Sequence, residues 1–452
     1  MKCLLVFTLL LLTSFTYAQI VNFPDSNFKD SLLNHDPTID TNNDGEIQFS
    51  EAEATIYMNV FASNINDLTG IEAFNNLETL ICANNEISVI DPSSLPLLKV
   101  LSCSNNNLEN IDVNQNLNLE YFFCGNNDIS EINIPNNHNL LRISFDDTLI
   151  QELDLENNNN LELIRISNTE INTIDVSNLV SLKTLELDYT NITEVDLTSN
   201  IILEYFSAYS TNLTEVNIQN NSQLIFLIIG STNVSSLDIS SNAEIRFLDF
   251  SNTTIQELDV SMLEDLQWID FSGTISASID LSNNDHLCRV DGGNSETLEY
   301  INLRNGNNTF FQPDNTCHVQ SAHVGYIIPG SVYLYQSNNL EYICVDSIPF
   351  AEEYFLEIPA GVQLIEDCSL SISENHTNNL ILYPNPSTDA FTVVSEFNIS
   401  SITIMNTLGQ TLLNVKTNST KEQIDISEFS SGNYLVRITD GNNSSVYQII
   451  KK

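Results

Sequence analysis

The pattern of apolar and polar residues repeats every 21 positions between Leu77 and Asp280. Each copy begins with L-x-x-L-x-apolar and continues with one short polar residue. Near its end, an apolar residue is followed by Asp or Asn. That last position recurs in ten consecutive copies, at Asp91, Asp112, Asn133, Asp154, Asp175, Asp196, Asn217, Asp238, Asp259 and Asp280. One unit of this length cannot bury its apolar side alone, so the repeat predicts a stack of similar units.

The first part of each copy predicts a short strand. In the first copy, alternation directs Leu80 and Cys82 inward and Thr79 and Ile81 outward. The short polar residue of successive copies forms a second column: Asn85, Asn106, Asn127, Thr148, Thr169, Thr190, Thr211, Thr232, Thr253 and Thr274. Such side chains can bond backbone groups that would be buried unpaired at a tight bend.

This spacing resembles the leucine-rich repeat in its short bacterial form. The resemblance implies an α/β-solenoid, a β-rich horseshoe with one parallel sheet, over residues 64–306. Five aromatic residues fall on outward strand positions of the expected concave face: Tyr205, Tyr209, Phe226, Phe247 and Trp268. We interpret them as a ligand-binding strip, because Tyr and Trp anchor protein interfaces and sugar rings. The alternative is that the aromatic residues stabilise neighbouring strands.

The segment before the repeats, residues 19–63, predicts a helical cap around one ion-binding loop. Its sequence from Asp40 to Glu51 reads D-x-N-x-D-G-x-I-x-x-x-E and resembles an EF-hand loop. The resemblance implies one structural Ca²⁺, held by Asp40, Asn42, Asp44, Glu46 through its carbonyl, Gln48 and Glu51. The alternative is an acidic turn that binds nothing.

Cysteines divide into two groups. Cys82, Cys103 and Cys124 stand 21 apart at the same inward position, which favours small buried core residues over a metal-binding column. Four others follow the regular repeats, in a region where an exported protein can form disulfides. We favour the pair Cys344–Cys368, which leaves Cys288 and Cys317. The sequence alone does not fix the connectivity.

Composition and the N-terminus bear on location. The formal charge is −46, from 60 acids and 14 bases, which disfavours nucleic acid and anionic membranes as partners. Residues 1–18 predict a secretory signal peptide, with Lys2 followed by an apolar stretch and the small-residue end Thr16-Tyr17-Ala18. We expect no transmembrane segment in the mature chain, because no other run of 18 apolar residues occurs.

The last part of the chain has a different pattern. Residues 307–368 predict an irregular C-terminal cap with an insertion, and residues 369–379 a linker. From residue 380, short strands separated by turns predict an antiparallel β-sandwich, beginning with Phe391 to Val394 and Ile402 to Met405. Tyr383-Pro384-Asn385-Pro386, Leu408-Gly409-Gln410, Gly432-Asn433-Tyr434 and the terminal lysines resemble a type IX secretion system sorting domain. The resemblance implies passage across the outer membrane of a Gram-negative bacterium and contact with that secretion machinery.

These observations favour a secreted or cell-surface protein that binds a protein or glycan. The leading alternative is a structural surface protein that associates with itself. An enzyme is disfavoured, because H-E-x-x-H, G-x-S-x-G, phosphate-loop and C-x-x-C motifs are all missing from the sequence. We therefore predict no catalytic residues.

Overall fold

The computed structural model describes residues 19–307, 311, 316–320, 325–355, 357–368, 381–383, 387–406, 411–430, 432–439 and 444–452. The predicted signal peptide (1–18) and linker (369–379) lie outside the described residues. The chain divides after Cys368 into two compact units, which we call the solenoid unit and the C-terminal unit.

Two short helices form the start of the solenoid unit, as predicted: α1 (Ser26–Leu33) and α2 (Phe49–Ala54). Asp25 caps α1, accepting hydrogen bonds from the backbone N–H groups of Asn27 (2.8 Å) and Phe28 (3.1 Å). Its second oxygen accepts from Asn66 N (2.8 Å) in the first turn of the solenoid. Because Phe28 is fully buried, the helix is tied to the repeats by both an apolar and a polar contact.

The repeats form one long parallel sheet of three-residue strands, which confirms the predicted solenoid. The middle residue of each strand is buried, because alternation points it into the core. The strands are β1 (Tyr57–Asn59), β2 (Thr79–Ile81), β3 (Val100–Ser102), β4 (Tyr121–Phe123), β5 (Arg142–Ser144), β6 (Leu163–Arg165), β7 (Thr184–Glu186), β8 (Tyr205–Ser207), β9 (Phe226–Ile228), β10 (Phe247–Asp249), β11 (Trp268–Asp270), β13 (Arg289–Asp291) and β17 (Ser331–Tyr333). The sheet thus begins inside the segment predicted as a cap and continues beyond residue 306.

Each strand of the regular repeats ends in a bend with a left-handed residue. The residues with positive φ are spaced like the repeat: Asn84, Asn105, Asn126, Asp147, Asn168, Tyr189, Ser210, Ser231 and Asn252. Asn and Asp adopt this conformation more readily than other residues with a side chain, and Gly273 adopts it in the next copy. The polar column predicted from the sequence lies just beyond, where Thr148 Oγ1 donates to the carbonyl of Phe145 at 2.7 Å. The same bond recurs at Thr169, Thr190, Thr211, Thr232, Thr253 and Thr274.

A column of buried asparagines connects the turns opposite the sheet. Each member is fully buried, and its Nδ2 donates to two carbonyl oxygens of the preceding repeat: Asn116, Asn137, Asn158, Asn200, Asn221, Asn242 and Asn284. The sequence analysis missed this column, although its members recur at 21-residue intervals with Leu179 and Leu263 at the two intervening positions, because asparagines are abundant in these turns and the column was not singled out. These bonds are a second set of connections between successive repeats.

We expect Asn221→Ala to lower the free energy of unfolding by about 1–3 kcal/mol, because two buried carbonyls lose their donor. Asn221 Nδ2 bonds Leu197 O at 3.0 Å and Asn200 O at 2.8 Å. Asn220→Ala is the matched control, since Asn220 is exposed and bonds one carbonyl. Urea denaturation of both variants tests the role of burial, and equal losses would contradict it.

A second parallel sheet accompanies the last repeats. Its strands are β12 (Ser278–Asp280), β14 (Tyr300–Asn302), β18 (Tyr342–Cys344) and β19 (Gln363–Ile365). It begins where the regular pattern slips: Ser276 occupies the buried position that an apolar residue fills elsewhere, and Ile275 is exposed. Between β14 and β17 lies an antiparallel hairpin, β15 (Thr316–Gln320) and β16 (Gly325–Pro329). Helix α3 (Ile348–Tyr354) precedes β19.

The C-terminal unit is antiparallel, as predicted. Its described strands are β20 (Ile381–Tyr383), β21 (Ala390–Met405), β22 (Thr411–Asp425), β23 (Gly432–Thr439) and β24 (Ser444–Lys451). They belong to one five-stranded sheet instead of two separately paired sheets. Strand β21 changes register at Val394/Ile399 and Ile399/Ser401, so one strand spans the polar stretch between the two predicted strands. Within the described part of the chain, no helix is long and apolar enough to cross a membrane.

Candidate ligand-binding face of the solenoid sheet

The outward side of the long sheet, which we call the strand face, gathers most cations of the solenoid unit. It consists of the first and third residues of each strand, the residue before the strand and the second residue after it. The segment from residue 19 to 368 contains eight lysines and arginines, and six of them lie on the strand face: Lys99, Arg142, Arg165, Lys183, Arg246 and Arg289. The remaining surface therefore carries nearly all the excess negative charge.

Five of these six cations are paired with carboxylates. The N···O distances are 2.8 Å for Lys99–Glu78, 2.8 Å for Arg165–Glu186, 3.6 Å for Lys183–Glu162, 3.8 Å for Arg246–Asp265 and 2.6 Å for Arg289–Asp291. The pairs of Lys99, Lys183 and Arg246 are accessible and contribute little to stability individually, whereas Glu186 and Asp291 are largely buried. Their placement shows where the charges of the strand face are already neutralised.

The predicted aromatic strip is mostly closed to solvent, which corrects the expectation that it is exposed. Tyr205, Phe226 and Phe247 are only 2%, 0% and 4% exposed, although they point away from the core. Their rings stack from strand to strand, with centroids 5.1 Å apart for Tyr205–Phe226 and 5.6 Å apart for Phe226–Phe247. The physical reason is that large side chains on adjacent strands cover one another. Only Tyr209 and Trp268 of the five keep partial exposure.

The aromatic column ends in a polar cluster. Trp268 lies 4.0 Å from Phe247 between ring centroids, and its Nε1 donates to Asp291 at 2.7 Å. Arg289 donates to both oxygens of Asp291, at 2.6 and 3.1 Å. Its guanidinium lies between the rings of Trp268 (5.1 Å) and Tyr333 (4.8 Å). These contacts hold the Trp268 side chain in one orientation, so its ring is not free to reorient.

Carboxylates on the strand face are unusually buried. Burial raises the pKa of Asp146, Glu186, Asp188 and Asp249, and it raises the pKa of Asp270 to about 7. Asp249, Asp270 and Asp291 are register partners on adjacent strands, so their charges also oppose one another. The 21-residue spacing of these three could have shown this row, but the sequence analysis did not use it. Acids held away from water on one face are a feature of functional sites.

In the predicted calcium loop, the side chains of the predicted ligands form hydrogen bonds with one another and with the loop backbone. Gln48 Nε2 donates to both Asp44 oxygens (3.2 and 3.0 Å), and Asn42 Nδ2 donates to Gln48 Oε1 (2.7 Å). Glu51 accepts from Thr41 N (2.8 Å) and Gln48 N (3.0 Å). The donor types suit Ca²⁺, but the described residues contain no group of three or more acidic, His or Cys side chains placed around one point for a metal.

One edge of this loop is paired with the preceding chain. Val21 N donates to Ile47 O, and Phe49 N donates to Gln19 O, each at 2.9 Å. Residue Glu46, whose carbonyl is a predicted ligand, binds Lys29 through its side chain at 2.6 Å. Asp40 bonds the backbone N–H of Gly45 at 3.0 Å. The segment at residues 19–21 thus pairs with the loop.

The cysteines have distinct environments. Cys82, Cys103 and Cys124 are fully buried free thiols, and burial raises the pKa of Cys82 to about 12. Such thiols are unreactive packing groups. Cys344 and Cys368 form a disulfide with a Cα–Cα distance of 5.5 Å. Cys288 is also disulfide-bonded; the side chain of Cys317 lies outside the described residues.

Comparison with known proteins agrees with this architecture. Residues 381–452 match the family described as secretion system C-terminal sorting domain. The functional domain of InlJ from Listeria monocytogenes, which includes a cysteine ladder, superposes with a TM-score of 0.61 at 19% identity, covering 96% of this chain and 98% of that one. An internalin, InlF, from the same organism gives a TM-score of 0.61 at 19% identity, covering 78% of this chain and 99% of that one. At these identities the likeness shows the fold alone.

The match to the sorting family indicates where the protein is delivered. The chain is a solenoid of the leucine-rich repeat type followed by a sorting domain, which directs it through the type IX secretion system to the cell surface or outside. Ulvan lyase NLR42 from Nonlabens ulvanivorans is 33% identical over 86 residues, which are 19% of this chain and 16% of the lyase. Because the chain spans so little of that enzyme, lyase activity is not inferred from the match.

Proposed function

We propose that this protein binds a protein or glycan outside the cell with the strand face of its solenoid. The observation that carries the proposal is the gathering of six of eight cations on this face of a strongly acidic unit. Cations concentrated beside buried acids and partly exposed rings on one face favour a recognition surface over one that serves solubility alone. The same face provides a row of closely spaced, rigidly held side chains, which is suited to an extended ligand.

A binding screen tests the proposal. The secreted protein is applied to arrays of glycans and bacterial surface proteins. A variant in which Tyr209 and Trp268 are both replaced by Ala is applied to the same arrays. Capture by the natural protein that the double variant loses would support the strand face. A captured ligand that binds the variant equally would place binding elsewhere on the molecule.

Self-association is the second candidate function that the screen distinguishes. A structural surface protein would capture its own copies and no foreign molecule. We favour binding over catalysis because the sequence lacks the common catalytic motifs. Sedimentation of the natural protein over a range of concentrations measures self-association directly.

We also propose that the loop from Asp40 to Glu51 binds one structural Ca²⁺. Its support is the order of oxygen-bearing residues and the burial of Asp40, Gln48 and Glu51 inside the cap. Bound calcium would supply a positive charge among these oxygens. The ion would replace the Gln48 amide N–H group as the partner of Asp44, so Gln48 would have to turn.

We expect saturating Ca²⁺, at about 100 times its dissociation constant, to stabilise the cap by about 2.7 kcal/mol. Glu51→Gln should abolish this increment, because the neutral amide is a poor ligand for a hard cation. Glu53→Gln is the matched control, since Glu53 is an exposed acid two residues away. Thermal unfolding with calcium and with chelator measures the increment. Equal increments in the two variants would contradict the site.

A further inference from the structure

We infer that Arg142 anchors an acidic group of the ligand, a carboxylate or sulfate carried on a glycan, and that Tyr121 and Phe123 hold the adjoining sugar. The inference rests on the proposed function and specifies it. The three side chains lie on adjacent strands β4 and β5 of the strand face. All three side chains are partly exposed, and the charge of Arg142 is not neutralised by a carboxylate within the described residues.

Arg142 is the only cation of the strand face that has no carboxylate partner among the described residues. Its Nε is buried and has no hydrogen-bond partner. Its guanidinium carbon lies 5.7 Å from the centroid of the Tyr121 ring. An arginine remains protonated, so the charge of this partly exposed side chain is available to a ligand anion.

Two carboxylates on the adjoining part of the strand face bond groups other than Arg142. Asp146 lies four residues further along the chain and accepts from Ser144 Oγ at 2.7 Å and Ser167 N at 2.8 Å. Glu186 accepts from Arg165 Nε at 2.8 Å. Because the chain has 60 acids and only 14 bases, an arginine without a carboxylate partner is unexpected.

The two neighbouring rings provide a surface of the right kind for a sugar. Tyr121 and Phe123 are both partly exposed, with centroids 6.4 Å apart and planes at 50°. Register places Tyr121 beside Arg142 and Phe123 beside Ser144. A sugar lying against the rings would present its C–H groups to them and its acidic substituent to Arg142. The more regular aromatic column at Phe226 is buried and offers no such surface.

The position on the sheet favours a glycan over a peptide. The backbone N–H and C=O groups of β4 and β5 are used between parallel strands, so the face presents side chains only. Peptides that add to a sheet need a free backbone edge. The charge of −46 opposes long polyanions such as nucleic acid. A glycan with one acidic group among neutral sugars meets a local cation without that long-range repulsion.

Calorimetry with the secreted protein tests the inference using four probes: xylotriose, xylotriose carrying one glucuronic acid, xylotriose carrying one sulfate, and a triglutamate peptide. We expect an acidic sugar to bind and xylotriose to bind more weakly. Arg142→Gln should lower the affinity for the acidic sugar by about tenfold or more, because a charge-assisted pair is lost. Arg142→Lys should recover part of the affinity, because it keeps the charge without the guanidinium fork. Preference between the two acidic sugars identifies carboxylate or sulfate.

Arg304→Gln is the matched control, because Arg304 is an exposed cation of the solenoid unit that lies outside the strand face. It should leave the affinity within about twofold, because it removes the same charge away from the proposed site. The inference is overturned if no acidic sugar binds, if Arg142→Gln binds as tightly as the natural protein, or if the triglutamate peptide binds better than either acidic sugar. A ligand from the array screen that depends on Tyr209 and Trp268 but not on Arg142 would overturn this inference and leave the proposed function standing.

Discussion

Replacing Phe226 by alanine is expected to lower the free energy of unfolding of the solenoid unit by about 3–5 kcal/mol, the loss typical of a fully buried phenylalanine. The ring is 0% exposed although it lies on the outward side of the sheet. It is packed between Tyr205 and Phe247, with centroids 5.1 and 5.6 Å away. Removing it would open a gap that two neighbouring rings cannot both close. Urea denaturation followed by circular dichroism measures the change.

Tyr209→Ala is the control for this prediction, because Tyr209 lies on the same face, contacts the ring of Tyr189 at 5.6 Å and remains partly exposed. We expect a loss of no more than about 1.5 kcal/mol, since exposed packing contributes less. A small loss for Phe226→Ala would mean that the column is open to solvent. The original interpretation of a binding strip would then be favoured over cross-strand packing.

Periodicity was sufficient to predict the solenoid because every copy must satisfy the same structural requirements. Leu80 and Cys82 must be inside, the bend needs a left-handed residue, and a short polar side chain must bond the backbone at Asn85 or Thr148. Each requirement is local, so it can be read from one copy and checked in the next. The confirmed parallel stacking follows from the constant interval between copies.

Burial on the outward face could not be predicted in the same way. Alternation correctly directs Phe226 away from the core, but it says nothing about the distance to Tyr205 and Phe247 on adjacent strands. That distance decides whether an aromatic ring is a contact surface or a packed side chain. A direct count of aromatic residues 21 positions apart would have suggested stacking, because four occur in succession from Tyr205 to Trp268.

Polar residues caused the other departures from prediction. Ser276 fills an apolar position and bonds Ile255 O at 3.3 Å, and the second sheet starts two residues later. In the C-terminal unit, the polar stretch around Lys416 to Gln423 looks like a break between strands, yet β22 continues through it. Its exposed side chains alternate with partly buried ones along an edge strand, where polar residues are tolerated.

The second large effect concerns pH. Burial, with the charges of Asp249 and Asp291, raises the pKa of Asp270 in the folded protein to about 7, from an ordinary value of 3.8. Between these two values the folded state binds a proton that the unfolded state does not bind. The contribution of Asp270 to stability therefore increases as pH falls through about 7 and is complete below about 4. The difference between the two pKa values corresponds to about 4 kcal/mol at most.

Asp270→Asn should remove this dependence. The variant is expected to be more stable than the natural protein at pH 8 by about 2–4 kcal/mol, because a buried charge beside two other acids is replaced by a neutral amide. The two proteins should converge as pH falls towards 4. Urea midpoints measured at intervals from pH 4 to pH 8 give the difference directly, and the general loss of stability in acid cancels in the comparison.

Asp259→Asn provides the control, because Asp259 is an exposed acid outside the strand face whose pKa is lowered by its hydrogen bonds to Ser261, including Ser261 N at 2.9 Å. Its pH profile should run parallel to that of the natural protein across this window. If Asp270→Asn also ran parallel, the carboxylate would already be charged throughout the range. Solvent or a counter-ion would then reach it, and the row Asp249, Asp270 and Asp291 would be an open acidic surface instead of a buried one.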